Sequence, residues 1–166
     1  CRSAALVSDR GDLDWLCLPR YDSGSIFGAL LGDSSHGCWS LRPRDPDATA
    51  TRRYDGDTFV LVTRWECAAG VAEVHEFMPV LDGVDAVVRR VVGVAGEVDF
   101  VSEVRLRFDY ARAVPWVRQI GAADTSDARP MGVLLAGAGP DAVTLRGPRL
   151  VARDTMHRGE FRVEAG

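Results

Sequence analysis

Between Val98 and Phe108 the chain alternates with a period of two. The even positions are Val98, Phe100, Ser102, Val104, Leu106 and Phe108, and the odd ones are Asp99, Val101, Glu103, Arg105 and Arg107. Successive side chains on a strand point to opposite faces, so this run makes a strand with one apolar face and one mostly charged, wet face. Wound as a helix, the same apolar residues would be spread round the whole circumference and could bury together nowhere. A strand with one wet face belongs to an antiparallel sheet lying on a core.

The same signal recurs along the chain. Ala86 to Val94 is rich in valine, and Ala95-Gly96-Glu97 between it and the alternating run reads as a hairpin turn. From Thr58 to Cys67, the residues Phe59, Leu61, Trp65 and Cys67 share a face, after a turn at Asp55-Gly56-Asp57. A second hairpin runs through Ala68-Ala69-Gly70 into Val71 to Met78, closed by Pro79. Further short strands are expected at Ala4–Ser8, Leu13–Leu18, Gly37–Leu41, Ala50–Tyr54 and Val114–Val117. Late in the chain come Val133–Ala136, Ala142–Leu145, Leu150–Arg153 and Glu160–Val163, with turns at Gly139-Pro140-Asp141, Gly147-Pro148 and His157-Arg158-Gly159. Only Ser25–Leu31 reads as helical, with Ser23 or Ser25 as its cap and Gly32 as its end. Ala122–Pro130 is polar and small and reads as an exposed loop. The expected fold class is all-β: an antiparallel β-sandwich, of the super-β-sandwich kind, with at most one or two short helical turns.

Composition narrows the functional classes. The 166 residues carry 24 acids against 20 bases, a net charge of −4, without the basic stripe of a nucleic-acid binder. The most apolar stretch, Val84 to Val98, is broken by Asp85, Arg89, Arg90 and Glu97, far short of the ~18 apolar residues that span a membrane. Neither nucleic acid nor membrane is therefore an expected partner. Every base is arginine, asparagine is absent and isoleucine occurs only at Ile26 and Ile120. Lysine, asparagine and isoleucine have AT-rich codons, so the skew points to a GC-rich bacterial genome and carries no chemistry. The four cysteines, Cys1, Cys17, Cys38 and Cys67, form no C-x-x-C pair. No secretory leader precedes them, which favours reduced thiols and a cytoplasmic location, with Cys17 and Cys67 as small core residues.

Motifs that announce chemistry are scarce. There is no G-x-S-x-G elbow, P-loop or dinucleotide fingerprint, and Gly93-x-x-Gly96 and Gly137-x-Gly139 read as turn glycines. His75 and Glu76 are adjacent, but neighbours on a strand face opposite ways and cannot hold one ion together. Neither metal nor cofactor is expected. The informative stretch is Asp14-Trp15-Leu16-Cys17-Leu18-Pro19-Arg20-Tyr21-Asp22-Ser23. Asp12, Asp14 and Asp22 surround Trp15, a composition suited to sugars because an indole face stacks on a pyranose ring. Pro19 ends the strand, so Arg20 and Asp22 project from a loop with their stems against Trp15 and Tyr21. Arginine there offers a planar fork to hydroxyls or carboxylates. A surface salt bridge over a core tryptophan accounts for the same residues equally well.

Cys1 to Phe27 resembles the N-terminal segment of bacterial glycoside hydrolase family 15 proteins, the glucoamylase-like and trehalase-like enzymes. The trehalase-like N-terminal domain is the nearer likeness. The family's Asp-Trp-Leu-Cys-x-Pro-Arg-Phe-Asp-Ser-Pro-Ser stands here as Asp14 to Ser25, with Tyr21 for Phe and Gly24 for Pro. The likeness continues through Phe27–Leu31, Trp39–Pro43, Arg52–Tyr54, Asp57–Leu61, Phe77–Pro79, Arg89–Val91 and Val114–Trp116, and weakens after about Gly121. It implies a β-sandwich packed against an (α/α)6 barrel that carries two catalytic glutamates, acid and base of an inverting mechanism. No such barrel is present in this chain, so the resemblance assigns no catalytic residue here. It implies one domain over residues 1–166, cut at both ends, with an open sheet edge through which the piece could self-associate.

By resemblance the Trp15–Ser25 loop meets the barrel of the same polypeptide, at the mouth of its α-glucoside pocket. Trp15 is the expected anchor, Arg20 and Asp22 the hydrogen-bonding tips, and Asp14 and Tyr21 their neighbours in that contact. Two alternatives stay open. A free-standing carbohydrate-binding module would need an exposed platform among Trp15, Trp39, Trp65 and Trp116. A structural module whose partner is another protein is the second, and a dimer in isolation would not by itself support it, because a cut interface exposes apolar surface too.

Overall fold

The computed structural model describes residues 2–80, 83–120 and 131–166. It is all-β and antiparallel: one curled sheet of ten strands and a second sheet of three. The first sheet contains β1 (Ala5–Val7), β2 (Asp12–Cys17), β3 (Ser25–Phe27), β4 (Cys38–Pro43), β5 (Thr49–Tyr54), β6 (Leu61–Cys67), β7 (Gly70–Phe77) and β8 (Val88–Arg105). Their order is β1-β2-β4-β8-β7-β6-β5, with β3 on β2. The small sheet is made of β9 (Trp116–Ile120), β10 (Met131–Ala138) and β11 (Asp141–Pro148), in the order β11-β10-β9. The chain then returns to the large sheet as β12 (Val151–Arg153) and β13 (Met156–Glu164), with β13 alongside β8.

The alternating run behaves as its period requires: every even residue from Val98 to Phe108 is buried and every odd one is part-exposed. Its beginning differs from expectation. Ala95-Gly96-Glu97 is no hairpin turn; Val88 to Arg105 is one strand of 18 residues. Gly70 faces Gly96, Val71 faces Ala95 and Ala72 faces Gly93, so Val94 is the extra residue of a β-bulge. Gly96 sits there at φ +59°, where a Cβ would overlap the carbonyl oxygen of Ala69. The glycine therefore bends the strand instead of reversing it. Before the bulge β8 pairs with β7, and beyond it with β4 and β13. Gly93 accordingly lies within a strand as well.

Four other expectations are corrected. Residues 25–27 are a buried strand paired with β2, because burial of Ser25, Ile26 and Phe27 outweighs the helical pattern. What remains of the helix is a 3-10 turn, Ala29–Leu31, whose N-cap is Gly28 without a side-chain bond; a second turn, Ser34–His36, is capped by Asp33. His157-Arg158-Gly159 lies inside β13, and the reversal before it is made by Asp154, at φ +49°, with Thr155. Gly147-Pro148 ends β11, opposite Gly132 and Met131. Phe59 does not join the buried face of β6; it is exposed in the loop before it. The expected loop at Ala122–Pro130 lies outside the described residues, as does Cys1. Among the described residues no helix is long and apolar enough to cross a membrane.

Two cores result. One lies between the sheets, where Leu13, Leu16, Phe27, Val104, Leu106 and Phe108 meet Leu134 and Ala136 of β10. The other fills the curl of the large sheet with Leu41, Trp65, Ala72, Val74, Val98 and Phe100, and Phe161 stacks on Phe100 at 5.7 Å. The inward row Ala72, Val74 of β7 continues into Glu76, which faces Arg89 of β8. The two side chains are 4% and 0% exposed, with Arg89 Nη2 2.7 Å from Glu76 Oε1. Arg89 also donates to the carbonyls of Trp39 at 2.6 Å and Gly11 at 2.7 Å, and its guanidinium lies 5.0 Å from the Trp39 ring centre. One cation thus ties β7 and β8 to β4 and to the β1–β2 turn. Removing one member of a buried pair leaves the other charge without compensation, at about 3–5 kcal/mol. Glu76→Ala should lower unfolding stability by that much in urea. Glu76→Leu combined with Arg89→Met should stay well below wild type, because the Gly11 and Trp39 carbonyls lose their donor. A double variant of wild-type midpoint would remove the carbonyl bonds from this account.

Candidate functional site

Strand β2 ends at Cys17, as the following proline requires, and the chain enters the loop 18–24 through a cis Leu18–Pro19 bond. Backbone bonds shape this loop. Tyr21 N–H donates to the Arg2 carbonyl at 2.9 Å, and Ser23 N–H to the Arg20 carbonyl at 3.2 Å. The Ser23 hydroxyl accepts from Arg20 N–H at 3.2 Å. At its tip Arg20 and Asp22 form a two-pronged pair, Nε to Oδ1 at 2.8 Å and Nη2 to Oδ2 at 3.2 Å, with both side chains well exposed. The hydrogen bond from Arg20 and its charge hold the Asp22 carboxyl below the usual carboxylate range, and Asp22 raises Arg20 in return. An exposed pair of this kind contributes little to stability. What it sets out is a geometry: a planar fork and a carboxylate side by side.

Trp15 is half-buried on β2 and packs against Tyr110, ring centres 5.8 Å apart at 38°. Tyr110 belongs to a turn absent from the sequence reading. Asp109, Tyr110 and Ala111 lie in succession at φ +48°, +57° and +67°. Three non-glycine residues in the left-handed region are costly, and they persist only where their surroundings over-determine them. Here Asp109 N–H donates to the Ser25 carbonyl at 2.9 Å and Tyr110 N–H to the Ser25 hydroxyl at 2.8 Å, while Tyr110 OH reaches the Ser23 carbonyl at 3.5 Å. The turn clamps the far end of the 18–24 loop. Of the three only Asp109 is of a type that visits this region readily, so Tyr110 and Ala111 carry no local signal for the turn.

Asp14 points elsewhere. Burial and the Asp12 carboxylate push its carboxyl above the ordinary value, and Arg89 partly opposes them. Asp12 lies 3.8 Å from Arg42. Tyr21 is exposed beside the Arg20–Asp22 pair in sequence. Among the described residues no hydrogen bond or ion pair joins Trp15 or Asp14 to Arg20 or Asp22. The structure therefore brings Arg20 and Asp22 together, and holds Trp15 and Asp14 on the strand that leads to them. Arg89 and Glu76 were missed as a pair, although a glutamate in the apolar phase of β7 was a readable sign that a buried cation faces it.

Beneath the loop is a cavity of about 260 Å³, lined by Pro19, Ser25, Ile26 and Phe108 and bordered by Asp85 and Asp141. Asp85 lies 3.9 Å from Arg2. Among the described residues the Ser25 hydroxyl in its lining accepts from Tyr110 N–H and is bonded to no carboxylate or histidine. His75 bonds Glu73 at 3.2 Å while Glu76 bonds Arg89, so the two neighbours face apart as their strand dictates. Cys17, Cys38 and Cys67 are free thiols. Burial, with Asp12 and Asp14 nearby, pushes the Cys38 thiol up to about 11, which makes it a poor nucleophile. What the site offers is a shaped polar surface.

The sequence family described as trehalase-like, N-terminal, matches residues 1–128. Among characterised proteins the chain is 31% identical to a trehalase of Mycolicibacterium smegmatis over 131 residues, covering 68% of this chain and 20% of that protein. It is 28% identical to a trehalase of Mycobacterium tuberculosis, covering 95% of this chain and 27% of that one. It is 33% identical to trehalase 1 of Sulfolobus acidocaldarius, covering 70% and 20%. The chain thus spans about a fifth to a quarter of the length of these relatives. No solved structure matches it significantly.

The Arg20–Asp22 pair makes a prediction for pH. Because the folded Asp22 carboxyl titrates below its ordinary value, the pair is fully formed above that value and is lost as pH falls through the depressed one. In Arg20→Ala the Asp22 carboxyl should titrate at higher pH, read by its carbon-13 carboxyl shift. An unchanged titration would show that the two side chains are not paired in solution.

Proposed function

This chain belongs to the family of trehalase-like N-terminal domains, and from that premise we propose that it is the non-catalytic N-terminal domain of a cytoplasmic glycosidase. The enzyme is of the family 15 type and hydrolyses an α-glucoside such as trehalose or a maltodextrin. Its catalytic glutamates lie outside this chain, in an (α/α)6 barrel of the same polypeptide, and work with inversion. Residues 1–166 form one β-domain that packs on that barrel and shapes its active-site mouth. The observation that carries the reading is the coverage: the relatives are trehalases, and this chain matches only 20–27% of their length. Three unbridged cysteines support a reducing compartment.

The contact with the barrel is assigned to the 18–24 loop. Trp15, braced by Tyr110, anchors it; Arg20 and Asp22 present hydrogen-bonding tips, with Tyr21 beside them and Asp14 behind. Support comes from the contrast between a clamped backbone and an exposed tip. Three left-handed residues and the Ser25 bonds fix the loop, whereas nothing in the described residues uses the outer edge of the Arg20–Asp22 pair. The rival reading, a free-standing sugar-binding module, needs an aromatic platform. Trp65 is buried, Trp39 donates to Ser102 beneath Arg89, and Trp15 is occupied by Tyr110. A lone Trp116 leaves that reading little to stand on.

In the full-length enzyme, Arg20→Ala and Asp22→Ala should each lower kcat/KM for the α-glucoside by roughly 10- to 100-fold, the cost of a slightly misplaced active-site wall. Thermal unfolding should stay near wild type, since the pair is exposed. Wild-type turnover in both variants would remove the loop from the active-site mouth.

A further inference from the structure

The three-stranded sheet is apolar on its inner face and mostly apolar on its outer one. Its inner face, with Val117, Leu134, Ala136, Val143 and Leu145, closes the first core. Residues directly opposite in an antiparallel pair share a face, so the register fixes the outer one. Across the three strands the outer rows run Trp116–Gly137–Ala142, Arg118–Leu135–Thr144 and Ile120–Val133–Arg146, with Met131 beside Pro148 at the end. Trp116 and Met131 are 57% and 62% exposed, and Ile120 is exposed between them in the row. The indole lies across Gly137, where a Cβ would come within 2.7 Å of its ring, so a glycine is required for that packing. The central strand, Met-Gly-Val-Leu-Leu-Ala-Gly-Ala, is apolar throughout, the pattern of a strand covered on both sides. Three strands of this length present a face of roughly 400 Å², and its apolar part is in the range of the largest patch on a soluble monomer, a patch that is often functional.

We propose that the outer face of the β9–β10–β11 sheet is a docking surface for the part of the same polypeptide that lies outside residues 1–166. The proposal rests on the functional reading above, which supplies that part, and it adds a second contact remote in sequence from the 18–24 loop. The occupant is argued from length: about three quarters or more of each relative lies outside the matched region. It is argued also from charge. Arg118 and Arg146 stand on this face and make no ion pair among the described residues. The docked surface is therefore apolar, with carboxylates or carbonyl oxygens opposite those two guanidinium groups.

The test uses the full-length polypeptide carrying Met131→p-benzoylphenylalanine, irradiated and digested, beside hydroxyl-radical footprinting of the wild type. Expected are cross-links from position 131 to residues outside 1–166 of the same chain, and Trp116 and Met131 oxidising at least tenfold more slowly than in urea. Cross-links only between copies would assign the face to a second molecule and overturn the proposal. Cross-links only within residues 1–166, or oxidation near the unfolded rate, would overturn it too. Failure of the functional reading shows elsewhere: wild-type turnover in Arg20→Ala and Asp22→Ala would unseat the loop and leave a Met131 cross-link standing.

Discussion

One buried cation holds the curl of the large sheet. Arg89 and Glu76 sit on the inward faces of β8 and β7, the guanidinium pinned to two backbone carbonyls from outside its own hairpin, those of Gly11 and Trp39. Burial opposes the charge on Arg89, and Glu76 acts against that opposition. A leucine pair at these positions would pack two strands and nothing more. Arginine has a planar set of donors able to serve a carboxylate and two carbonyls at once, and a face that rests on the Trp39 ring. The halves of the sheet are therefore joined by direction-dependent bonds, which fix their angle as hydrophobic packing alone would not.

That angle positions the candidate site. Gly11 opens β2, and β2 leads within a few residues to Trp15, Pro19 and the Arg20–Asp22 pair. At its other end the 18–24 loop is clamped by the Asp109–Ala111 turn, which follows directly from the alternating strand and its buried end, Phe108. A loop held from both sides by the core needs only the Ser23 hydroxyl among its own side chains to keep its backbone in shape. Arg20 and Asp22 are thus free to face outward, and their mutual pairing limits the geometries they can offer a partner.

The sequence made legible what depends on local period. The alternation from Val98 to Phe108, the β5–β6 and β6–β7 hairpins and the end of β2 at Pro19 follow from residues within a few positions of one another. What escaped depends on contacts distant in sequence. Gly96 serves equally well in a turn or a bulge, and only the approach of Ala69 decides between them. Ser25-Ile26-Phe27 has a helical look that pairing with Leu16 and Cys17 overrides. The left-handed run at Asp109–Ala111 is imposed by Ser25, more than eighty residues earlier. At the site, the strand-ending Pro19 points to Arg20 and Asp22 on the loop after it, whereas Tyr110, which clamps that loop, has no local signature.

The two sheets come from one composition but are patterned for different surroundings. On the large sheet the outward positions are charged and paired across strands: Arg64 with Glu73, Arg158 with Glu103, and Arg162 with Asp99. Such ladders suit water, cost little there and discourage association. On the small sheet the same outward positions hold Trp116, Ile120, Val133, Leu135 and Met131, with two arginines among them. A chain so rich in arginine, aspartate and glutamate places only those two charges on that face. The difference follows the faces of the fold, not the average of the sequence. The large sheet pairs charge across its outward rows and the small one sets mostly apolar residues on both faces, so the two are told apart by pattern and not by composition.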